Sequence, residues 1–546
     1  MKQVTFSVAL EVRPESAARV ASLIEDLKDR EDHPSGGTVD NFARLREGIP
    51  CLHFMSISVF TNSSYDPTLI LEANFDGEPR DFWKQTDALM GEALREIIRC
   101  CKAPLDEDGP LYHKVTAEGS TVPATRYLEA RAGAPSVFHH GNRGLARDRI
   151  LNDASLFRAL RAELDNPDNQ GPTPYRNASL QQVHRRLREA MLPDHPWLDD
   201  PAPPRVPVTQ RIGDIIRLLL FVTFVIAVFS APGILIAAWL DPQIFVTLVI
   251  VLFIMLAFGI VRKFDPLPGT EVTTGFSLAR FFLRNLPLIV LIVVPPLVIL
   301  IILALCIVGL LAGLGLAEGG FDDWKWPVVR TVLLGQLGML FTVPATILWL
   351  RYLERRDTSQ DAPPVDADMV AQMARREDWI SQNHMGSIVN IRPGVLRTLI
   401  VRTGHRGLGL LLRVKATRGY LGSMRTVHFA HWAFLNNNSQ LLFVSNFDQS
   451  WGSYLDDFIE KAHVGLTLAW GCGVGFPPTR YLIFDGASHG RRFKNWALAS
   501  RSVSRFWYSA YPGLSVDQVE RNHRVATGLR KREMTPGDIR TWMRDL

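Results

Sequence analysis

The chain has 546 residues, of which 47% are hydrophobic and 21% are charged, and its formal net charge is +5. About a quarter of the residues are charged in a typical soluble protein, and here the apolar residues concentrate in four long runs that carry no charge. These runs exclude a purely soluble enzyme and a disordered scaffold. The weak net charge comes without a nucleic-acid-binding motif, so we expect no nucleic-acid partner.

The N-terminal segment, residues 1–117, shows strand-like alternation and two patterns with helical spacing. The predicted elements are a strand at 5–12, a helix at 15–27, strands at 53–60 and 68–74, a helix at 80–100 and a strand at 111–115. This βαββαβ order is typical of a ferredoxin-like sandwich, in which helices cover one face of an antiparallel sheet. We therefore predict a first ferredoxin-like module.

Residues 118–210 predict a helical connector that ends in a proline-rich linker, and residues 211–356 contain the membrane region. A helix needs about 20 apolar residues to cross the hydrocarbon core of a bilayer. The sequence therefore predicts four transmembrane helices, with the lipid bilayer as a partner. The third run contains Pro295-Pro296 and is either one kinked span or a span with an interfacial segment. The four uncharged runs lie at 218–240, 244–261, 286–317 and 331–350.

Basic residues lie mainly on one side of the predicted spans. Nine Lys or Arg residues occupy the span ends next to the two large flanking segments, and two occupy the other side. Because short basic loops stay in the cytoplasm, we expect both termini in the cytoplasm and an integral protein of the bacterial inner membrane. The two flanking segments would then share one compartment.

After a linker at 357–380, residues 381–546 repeat the order of the first module and add a helical extension. The predicted elements are a strand at 387–391, a helix at 393–412, strands at 427–435 and 440–447, a helix at 454–470, strands at 479–484 and 505–508, and a helix at 515–529. We predict a second ferredoxin-like module, so the fold class is α+β with transmembrane helices.

Two sequence blocks occur once in each module. Residues 52–60 match residues 427–435 through a shared His-Phe, and residues 69–76 match residues 441–448 through a shared Asn-Phe-Asp. Both pairs are separated by similar lengths of chain, which indicates an internal duplication. Each module leaves one sheet face without helices, and such a face needs a partner. We predict that the two faces meet and enclose a cavity.

Histidines are the residues with the most potential as ligands. His53 and His428 recur in the two modules, so we predict a structural role in which each donates to a nearby backbone carbonyl. An odd separation places His428 and His431 on opposite faces of a regular strand. The chain has no HxxxH, HExxH or paired CxxC pattern, so no metal-ion site is predicted from spacing.

The paired modules on one chain resemble the dimeric α/β-barrel superfamily, which includes dye-decolorising haem peroxidases, chlorite dismutase-like proteins and small cofactor-free monooxygenases. The C-terminal blocks at 390–394, 445–451 and 507–512 also resemble an uncharacterised bacterial membrane protein family. The two modules that carry the first resemblance cover about half of the chain.

The peroxidase resemblance implies particular residues. Those enzymes carry a GxxDG motif, whose Asp assists peroxide cleavage, and a proximal His that binds the haem iron. The nearest match here is residues 73–77, which lack the first Gly and imply Asp76 as the catalytic acid. His431, His405 and His463 are the candidate axial ligands of a haem. The alternatives are a strand-end cap for Asp76 and ordinary core or surface histidines.

The leading hypothesis from the sequence is a membrane-anchored oxidoreductase of the haem-peroxidase-like type. Its substrate would be an apolar or lipid-derived small molecule in the cavity between the modules. The alternative is a non-enzymatic, membrane-tethered ligand-binding or assembly protein. The sequence leaves the substrate and the formation of homo-oligomers open.

Overall fold

The structure is a computed structural model that describes residues 2–31, 42–62, 65–166, 175, 177–202, 204–266, 278–316, 318–357, 364–377, 380–415 and 424–546. Within these residues the protein is a mixed α/β structure with four candidate membrane-spanning helices. The two larger sheets are antiparallel, and each contains strands from both sides of the membrane region.

The N-terminal segment alternates strands and helices much as its sequence pattern predicts. One predicted element is wrong, because the strand at 111–115 lies within a helix. Tyr112 and Val115, three residues apart, are both buried there, as expected for one face of a helix. The elements are β1 (Gln3–Glu11), α1 (Ala17–Glu31), α2 (Ala43–Gly48), β2 (Leu52–Asn62), β3 (Tyr65–Asp76), α3 (Pro79–Arg99), α4 (Gly109–Thr116), α5 (Ala124–Ala130), β4 (Ala132–Gly133) and β5 (Val137–His140).

Two connector helices lead to the membrane region. These are α6 (Arg147–Leu164) and α7 (Leu180–Met191). The first turn of α7 is stabilised by a capping box, in which Ser179 and Gln182 satisfy each other's backbone N–H groups. The membrane region and the short helix after it consist of α8 (Val208–Trp239), α9 (Pro242–Arg262), α10 (Leu278–Gly313), α11 (Phe321–Gln336), α12 (Met339–Arg356) and α13 (Ala367–Ala374).

The prediction of four spans is confirmed in number, although the bounds differ. Helices α11 and α12 together form the fourth candidate span, which begins at Phe321 rather than at residue 331. Helix α10 is continuous over 36 residues, about 54 Å, and is therefore longer than the bilayer core of about 30 Å. Helix α8 approaches the fourth span closely, since a Cβ at Gly233 would lie 2.3 Å from the Gly335 carbonyl. Small residues permit such contacts between membrane helices.

The C-terminal segment forms a second set of strands and helices. The predicted strand at 479–484 is wrong in part, because Tyr481 and Leu482 adopt positive φ angles of 56° and 58° and interrupt it. Two short strands result, and they pair only with each other. The elements are β6 (Gln382–Asn390), α14 (Val395–Lys415), β7 (Val427–Leu435), β8 (Gln440–Asp448), α15 (Trp451–Trp470), β9 (Thr479–Arg480), β10 (Phe484–Asp485), α16 (Gly490–Ala499), β11 (Phe506–Ser509), α17 (Val516–Arg530) and α18 (Pro536–Trp542).

The two larger sheets exchange strands. The first has the order β11-β2-β3-β1-β4, and the second has the order β5-β7-β8-β6. Strand β5 precedes the membrane region but pairs with β7, with Val137 opposite Trp432. Strand β11 follows the membrane region but pairs with β2, with Trp507 opposite Ser56. The sheets therefore do not follow the segment boundaries at residues 117, 210 and 381 that the sequence indicates.

One face of each sheet packs against the other sheet. Phe60 and Ile70 of the first sheet form an apolar cluster with Ile388, Leu442 and Val444 of the second. A Cβ at Gly386 would lie 2.6 Å from the Phe60 ring, so only glycine permits this approach. Side chains fill the contact at this point.

The soluble part of the chain also contacts the ends of two membrane helices. Arg351 near the end of α12 is fully buried and donates to the backbone carbonyls of Lys263 and Thr479, at 3.1 and 3.0 Å. Glu354 accepts from the Thr479 hydroxyl at 2.7 Å and from the backbone N–H of Tyr481 at 3.0 Å. These bonds fix the β9–β10 segment against α9 and α12.

Candidate functional site

In each half of the protein, the block with His-Phe lies next to the block with Asn-Phe-Asp, and the histidine of the first contacts the aspartate of the second. His53 Nε2 lies 2.9 Å from Asp76 Oδ2, and His428 Nε2 lies 2.8 Å from Asp448 Oδ1. Both histidines are fully buried. The prediction that these histidines donate to backbone carbonyls is therefore wrong, because the partner of each is the carboxylate of the repeated Asn-Phe-Asp.

Each carboxylate of these pairs also accepts from the first turn of a helix. The backbone N–H of Arg147, at the start of α6, donates to Asp76 at 2.8 Å, and that of Val516, at the start of α17, donates to Asp448 at 2.8 Å. The first N–H groups of a helix have no partner within it and favour negative charge. Asp76, the candidate catalytic acid, therefore anchors a helix and a histidine, and Asp448 does the same.

A fully buried glutamate lies between the two sheets. Glu72 on β3 accepts from Asn74 Nδ2 at 2.5 Å and from Asn446 Nδ2 at 3.1 Å, so both asparagines of the repeated blocks bind one carboxylate oxygen. Ser56 donates to the other oxygen at 3.1 Å. His384 Nε2 lies 3.4 Å from the same carboxylate. We call Glu72, Asn74, Ser56, Asn446, His384 and His431 the Glu72 cluster.

The Glu72 cluster breaks the symmetry of the repeat. In the matched blocks Glu72 corresponds to Val444, and Ser56 corresponds to His431. The acid therefore comes from the first half and the facing imidazole from the second, with His431 Nδ1 3.9 Å from Glu72 Oε1. The two halves are complementary at this point rather than equivalent.

Electrostatics favour a charged Glu72 and a neutral His431. Burial raises the pKa of Glu72, but His384, His431 and Asn74 lower it, and the net shift is downward. Burial lowers the pKa of His431 to about 4, against the opposing effect of Glu72. The cluster thus holds a buried carboxylate among hydrogen-bond donors from both sheets, an arrangement that favours one specific packing of the two sheets.

The prediction that His428 and His431 point to opposite faces of the strand is wrong, because β7 contains a β-bulge at His428. The register of β7 against β8 shifts between Val427 and Phe429, so strict alternation fails at His428. His428 lies against the Phe54 ring, with centroids 5.4 Å apart, while His431 faces Glu72. Both approach the first sheet, where His428 binds Asp448 and His431 faces Glu72 without a hydrogen bond to it.

The three candidate haem ligands lie in different environments. His405 on α14 has both ring nitrogens in contact, with the Ala469 carbonyl at 3.0 Å and the Ser136 hydroxyl at 3.2 Å. His463 on α15 contacts the Ile459 carbonyl of its own helix at 3.1 Å. Neither belongs to the Glu72 cluster.

The surroundings of His431 do not fit a haem. Its ring nitrogens have no hydrogen-bond partner among the described residues, as an iron ligand would require. However, the side chain is fully buried, and Asn446 reaches Glu72 across the same contact at 3.1 Å. The sheets leave no slot for a porphyrin there. In the part of the chain that the structure describes, no three His, Cys, Asp or Glu residues are placed to hold a metal ion.

An open cavity of about 550 Å³ lies beside the second His–Asp pair. It reaches Asp448 and the N-terminus of α17. All of its lining residues are of polar or charged types, and they carry both signs of charge, with two cations and three carboxylates. The lining residues are Ser381, Arg425, Thr426, Asp448, Gln449, Asp457, Lys461, Ser515 and Asp517. Its charged side chains could form ion pairs and hydrogen bonds with a small polar molecule.

The sequence did not single out Glu72 or His384. The available signal was Glu72 itself, an acid in the otherwise apolar stretch Leu69–Ala73, because an ionised side chain in a strand buried on both faces needs partners. Two of its partners, Asn446 and His384, come from strands more than 300 residues away in the chain. Comparison of the chain with family models, with curated proteins and with solved structures finds no match.

Proposed function

We propose that the protein is a non-enzymatic, membrane-tethered ligand-binding or assembly unit built on a duplicated ferredoxin-like module. The observation that carries this proposal is the exchange of β5 and β11 between the sheets. The exchange joins the segments on either side of the four spans into one body. Such a body would hold the ends of the membrane helices together, a role that requires no catalysis.

The matched geometry of the halves supports duplication. Strands β2, β3 and β1 are adjacent in the first sheet in the same order as β7, β8 and β6 in the second. Each half also has a His–Asp pair bound to the start of a helix. Both correspondences follow the repeated sequence blocks, as a duplicated ancestor would produce.

Charge and contacts support an orientation with both termini in the cytoplasm of a bacterial inner membrane. The basic residues near the spans lie mainly beside the soluble segments. Arg351 and Arg480 tie the β9–β10 segment to the ends of α12 and α9, where Arg480 donates to the Phe264 carbonyl at 3.2 Å. The soluble body therefore belongs at the basic side of the membrane.

The ligand in this proposal is a small polar molecule bound in the open cavity beside Asp448. Arg425 and Lys461 would bind a carboxylate or phosphate group, while Asp457 and Asp517 would accept from its hydrogen-bond donors. Lys461 lies 3.0 Å from Asp457, so the cation is positioned by its neighbour on α15. The mixed lining favours a ligand that carries both kinds of group.

The test is the thermal unfolding of the full-length protein in detergent, with a panel of amino acids, dicarboxylates and sugar phosphates. We expect at least one class to raise the unfolding midpoint, because a ligand that binds only the folded state stabilises it. The double substitution Arg425→Gln with Lys461→Gln should abolish the shift. The matched control is Arg491→Gln with Arg492→Gln, which removes two exposed cations of α16. A panel without effect, or a shift that survives in the first double variant, would contradict ligand binding here.

The haem-peroxidase-like oxidoreductase remains the second candidate. The ring nitrogens of His431 lack hydrogen-bond partners among the described residues, as an axial ligand requires, but the packed contact between the sheets counts against a porphyrin beside them. An absorption spectrum of the purified protein, with and without added haemin, distinguishes the two functions. A haem band that His431→Ala removes would support the enzyme. A colourless protein that does not bind haemin would support the binding unit.

A further inference from the structure

Helix α14 lies along the ends of two membrane helices. Arg397, in its first turn, donates to the Leu353 carbonyl at the end of α12 at 2.7 Å. Three turns later, a Cβ at Gly407 would lie 2.9 Å from the ring of Phe221 in α8. The helix therefore extends from the end of the fourth span to the beginning of the first, at the surface of the membrane.

The outer face of α14 is amphipathic. Val395 and Leu399 are 89% and 61% exposed although both are apolar. Arg402 and Arg406, which continue the same face, are also exposed. A helix with exposed apolar and basic residues beside membrane spans is typical of the layer between the headgroups and the acyl chains.

A cationic cavity lies where the last turn of α14 meets the start of α8. Its volume is about 60 Å³. One water needs about 10–15 Å³ by this measure, so the cavity admits a group as large as a phosphate but not a whole sugar phosphate. Its charged lining consists of Lys2, Arg143, Arg205 and Arg413.

Two carboxylates balance only part of this charge. Arg143 lies 2.7 Å from Asp214, and Arg205 makes a bidentate pair with Glu520 at 2.7 Å. Among the described residues, neither Lys2 nor Arg413 makes an ion pair. The Arg413 guanidinium lies 4.7 Å from the centre of the Phe138 ring, which fixes its position. The cavity therefore has an excess of positive charge.

The cavity lies at the depth of lipid headgroups. Asp214, which anchors Arg143, precedes the first uncharged run by four residues, or about 6 Å along a helix. The headgroup layer extends about 5–8 Å beyond each side of the hydrocarbon core. The phosphates of phospholipids lie at this level.

We propose that this cavity binds the phosphate of an anionic phospholipid, with α14 as the interfacial helix that guides the lipid to it. Arg413 and Lys2 supply the unbalanced positive charge, and Arg143 supplies a guanidinium already held by Asp214. The apolar residues Val395 and Leu399 lie among the acyl chains. A zwitterionic phospholipid binds more weakly, because its headgroup brings its own cation.

The experiment compares lipids bound to the full-length protein in nanodiscs that contain phosphatidylglycerol and phosphatidylcholine in equal amounts. Enrichment of phosphatidylglycerol around the protein is measured by mass spectrometry of the co-purified lipid. We expect enrichment in the wild type. Lys2→Gln with Arg413→Gln should reduce it by about fivefold for each cation removed, the contribution expected from one basic residue near an anionic surface.

The matched control is Lys84→Gln with Arg126→Gln, which removes two exposed cations outside the cavity and should leave the enrichment unchanged. Arg413→Lys keeps the charge and should retain most of it. If the double variant does not fold, two single changes at exposed positions replace it: Lys2→Gln in the cavity lining and Arg406→Gln on the outer face of α14.

Inorganic phosphate distinguishes the lipid from a free ion. We expect 10–100 mM phosphate at constant ionic strength to leave the lipid enrichment and the unfolding midpoint unchanged. Equal enrichment of both lipids, unchanged enrichment in the cavity variants, or stabilisation by inorganic phosphate that these variants abolish would overturn the proposal.

Discussion

Glu72 shows how one residue can specify the packing of two sheets. Its carboxylate is held by Asn74 from its own sheet and Asn446 from the other. A buried carboxylate without its hydrogen bonds is strongly destabilising, so registers of the two sheets that separate these groups are disfavoured. The same holds for the donors, which lose their acceptor if Glu72 is removed.

We expect Glu72→Val, which introduces the residue found at the matched position of the second half, to destabilise the protein by about 2–5 kcal/mol. The change leaves Asn74, Asn446 and Ser56 without their acceptor in a buried environment. The thermal unfolding midpoint in detergent measures the loss. The exposed Glu118→Val is the control; a midpoint equal to that of the control would show that the cluster does not contribute to stability.

Acid should destabilise the protein through His431. Burial lowers its pKa from the ordinary value of 6.5 to about 4 in the folded protein. At a pH between these two values, the protein therefore takes up a proton at this histidine when it unfolds. The stability is therefore fully present above pH 6.5 and decreases as the pH falls towards 4, by up to about 3 kcal/mol for this residue. The lowered pKa of Glu72 acts in the same direction below pH 4.5.

The pH dependence of unfolding between pH 7.5 and 4.5 tests this sign. His431→Asn should reduce the number of protons taken up on unfolding by about one. His113→Asn, at an exposed histidine of α4, should leave it unchanged. Equal slopes in the two variants would mean that His431 is not buried as a neutral group.

At the scale of elements, β5 and β11 complete the outer edges of sheets that the opposite half builds. An uncovered edge strand exposes a row of backbone hydrogen-bonding groups. Without β11, the edge of β2 opposite Phe506–Ser509 loses its partner, and without β5 the edge of β7 does. Neither half is complete alone.

We expect residues 1–207 and 364–546 to be unstable when expressed separately and to co-purify when expressed together. Tyr508→Pro in the second fragment should weaken their association, because proline removes a backbone donor to β2 and the change removes the Tyr508 ring, whose centre lies 5.6 Å from that of Phe42 in the first fragment. Size-exclusion chromatography and circular dichroism measure both effects. A fragment that folds alone as a stable monomer would contradict this role of the exchanged strands.

A structural feature could be predicted where its sequence pattern lies within one stretch of the chain, and could not where it depends on contacts between distant residues. The spans and strands β2, β3, β7 and β8 could be predicted because their patterns lie within each segment. The four-residue strands β5 and β11 carry no information about which sheet they join. The strand predicted at 111–115 is part of a helix, because a pattern of five residues fits either the helical or the strand period. The Glu72 cluster depends on contacts between distant residues, so no local pattern reveals it.

At the scale of the whole molecule, Arg351 connects the membrane region to the soluble body. It is fully buried and binds Glu354, Lys263 and Thr479, which belong to three different parts of the chain. Glu354 in turn binds Thr479 and Tyr481. The soluble body is thus attached to the spans through a buried ion pair as well as through the chain itself.

We expect Arg351→Met to destabilise this junction by about 3–5 kcal/mol, because Glu354 would be left as a buried charge without its cation. Hydrogen exchange of residues 479–485 should accelerate while that of β7 and β8 is maintained. Arg355→Met, an exposed position on the same helix, is the control. Unchanged exchange at 479–485 in Arg351→Met would show that the junction is held by other contacts.

The exchanged strands also delay the completion of the sheets during biosynthesis. Ser136, next to β5, bonds to Trp432, which lies 296 residues later in the chain. At about 5–20 residues per second, the ribosome needs roughly 15–60 s to make that stretch, which contains all four candidate spans. Throughout this interval the emerging N-terminal half has an open sheet edge and an unshielded Glu72. We expect chaperones to bind this open sheet edge until the last strand leaves the ribosome. Membrane insertion would then precede the completion of the soluble body.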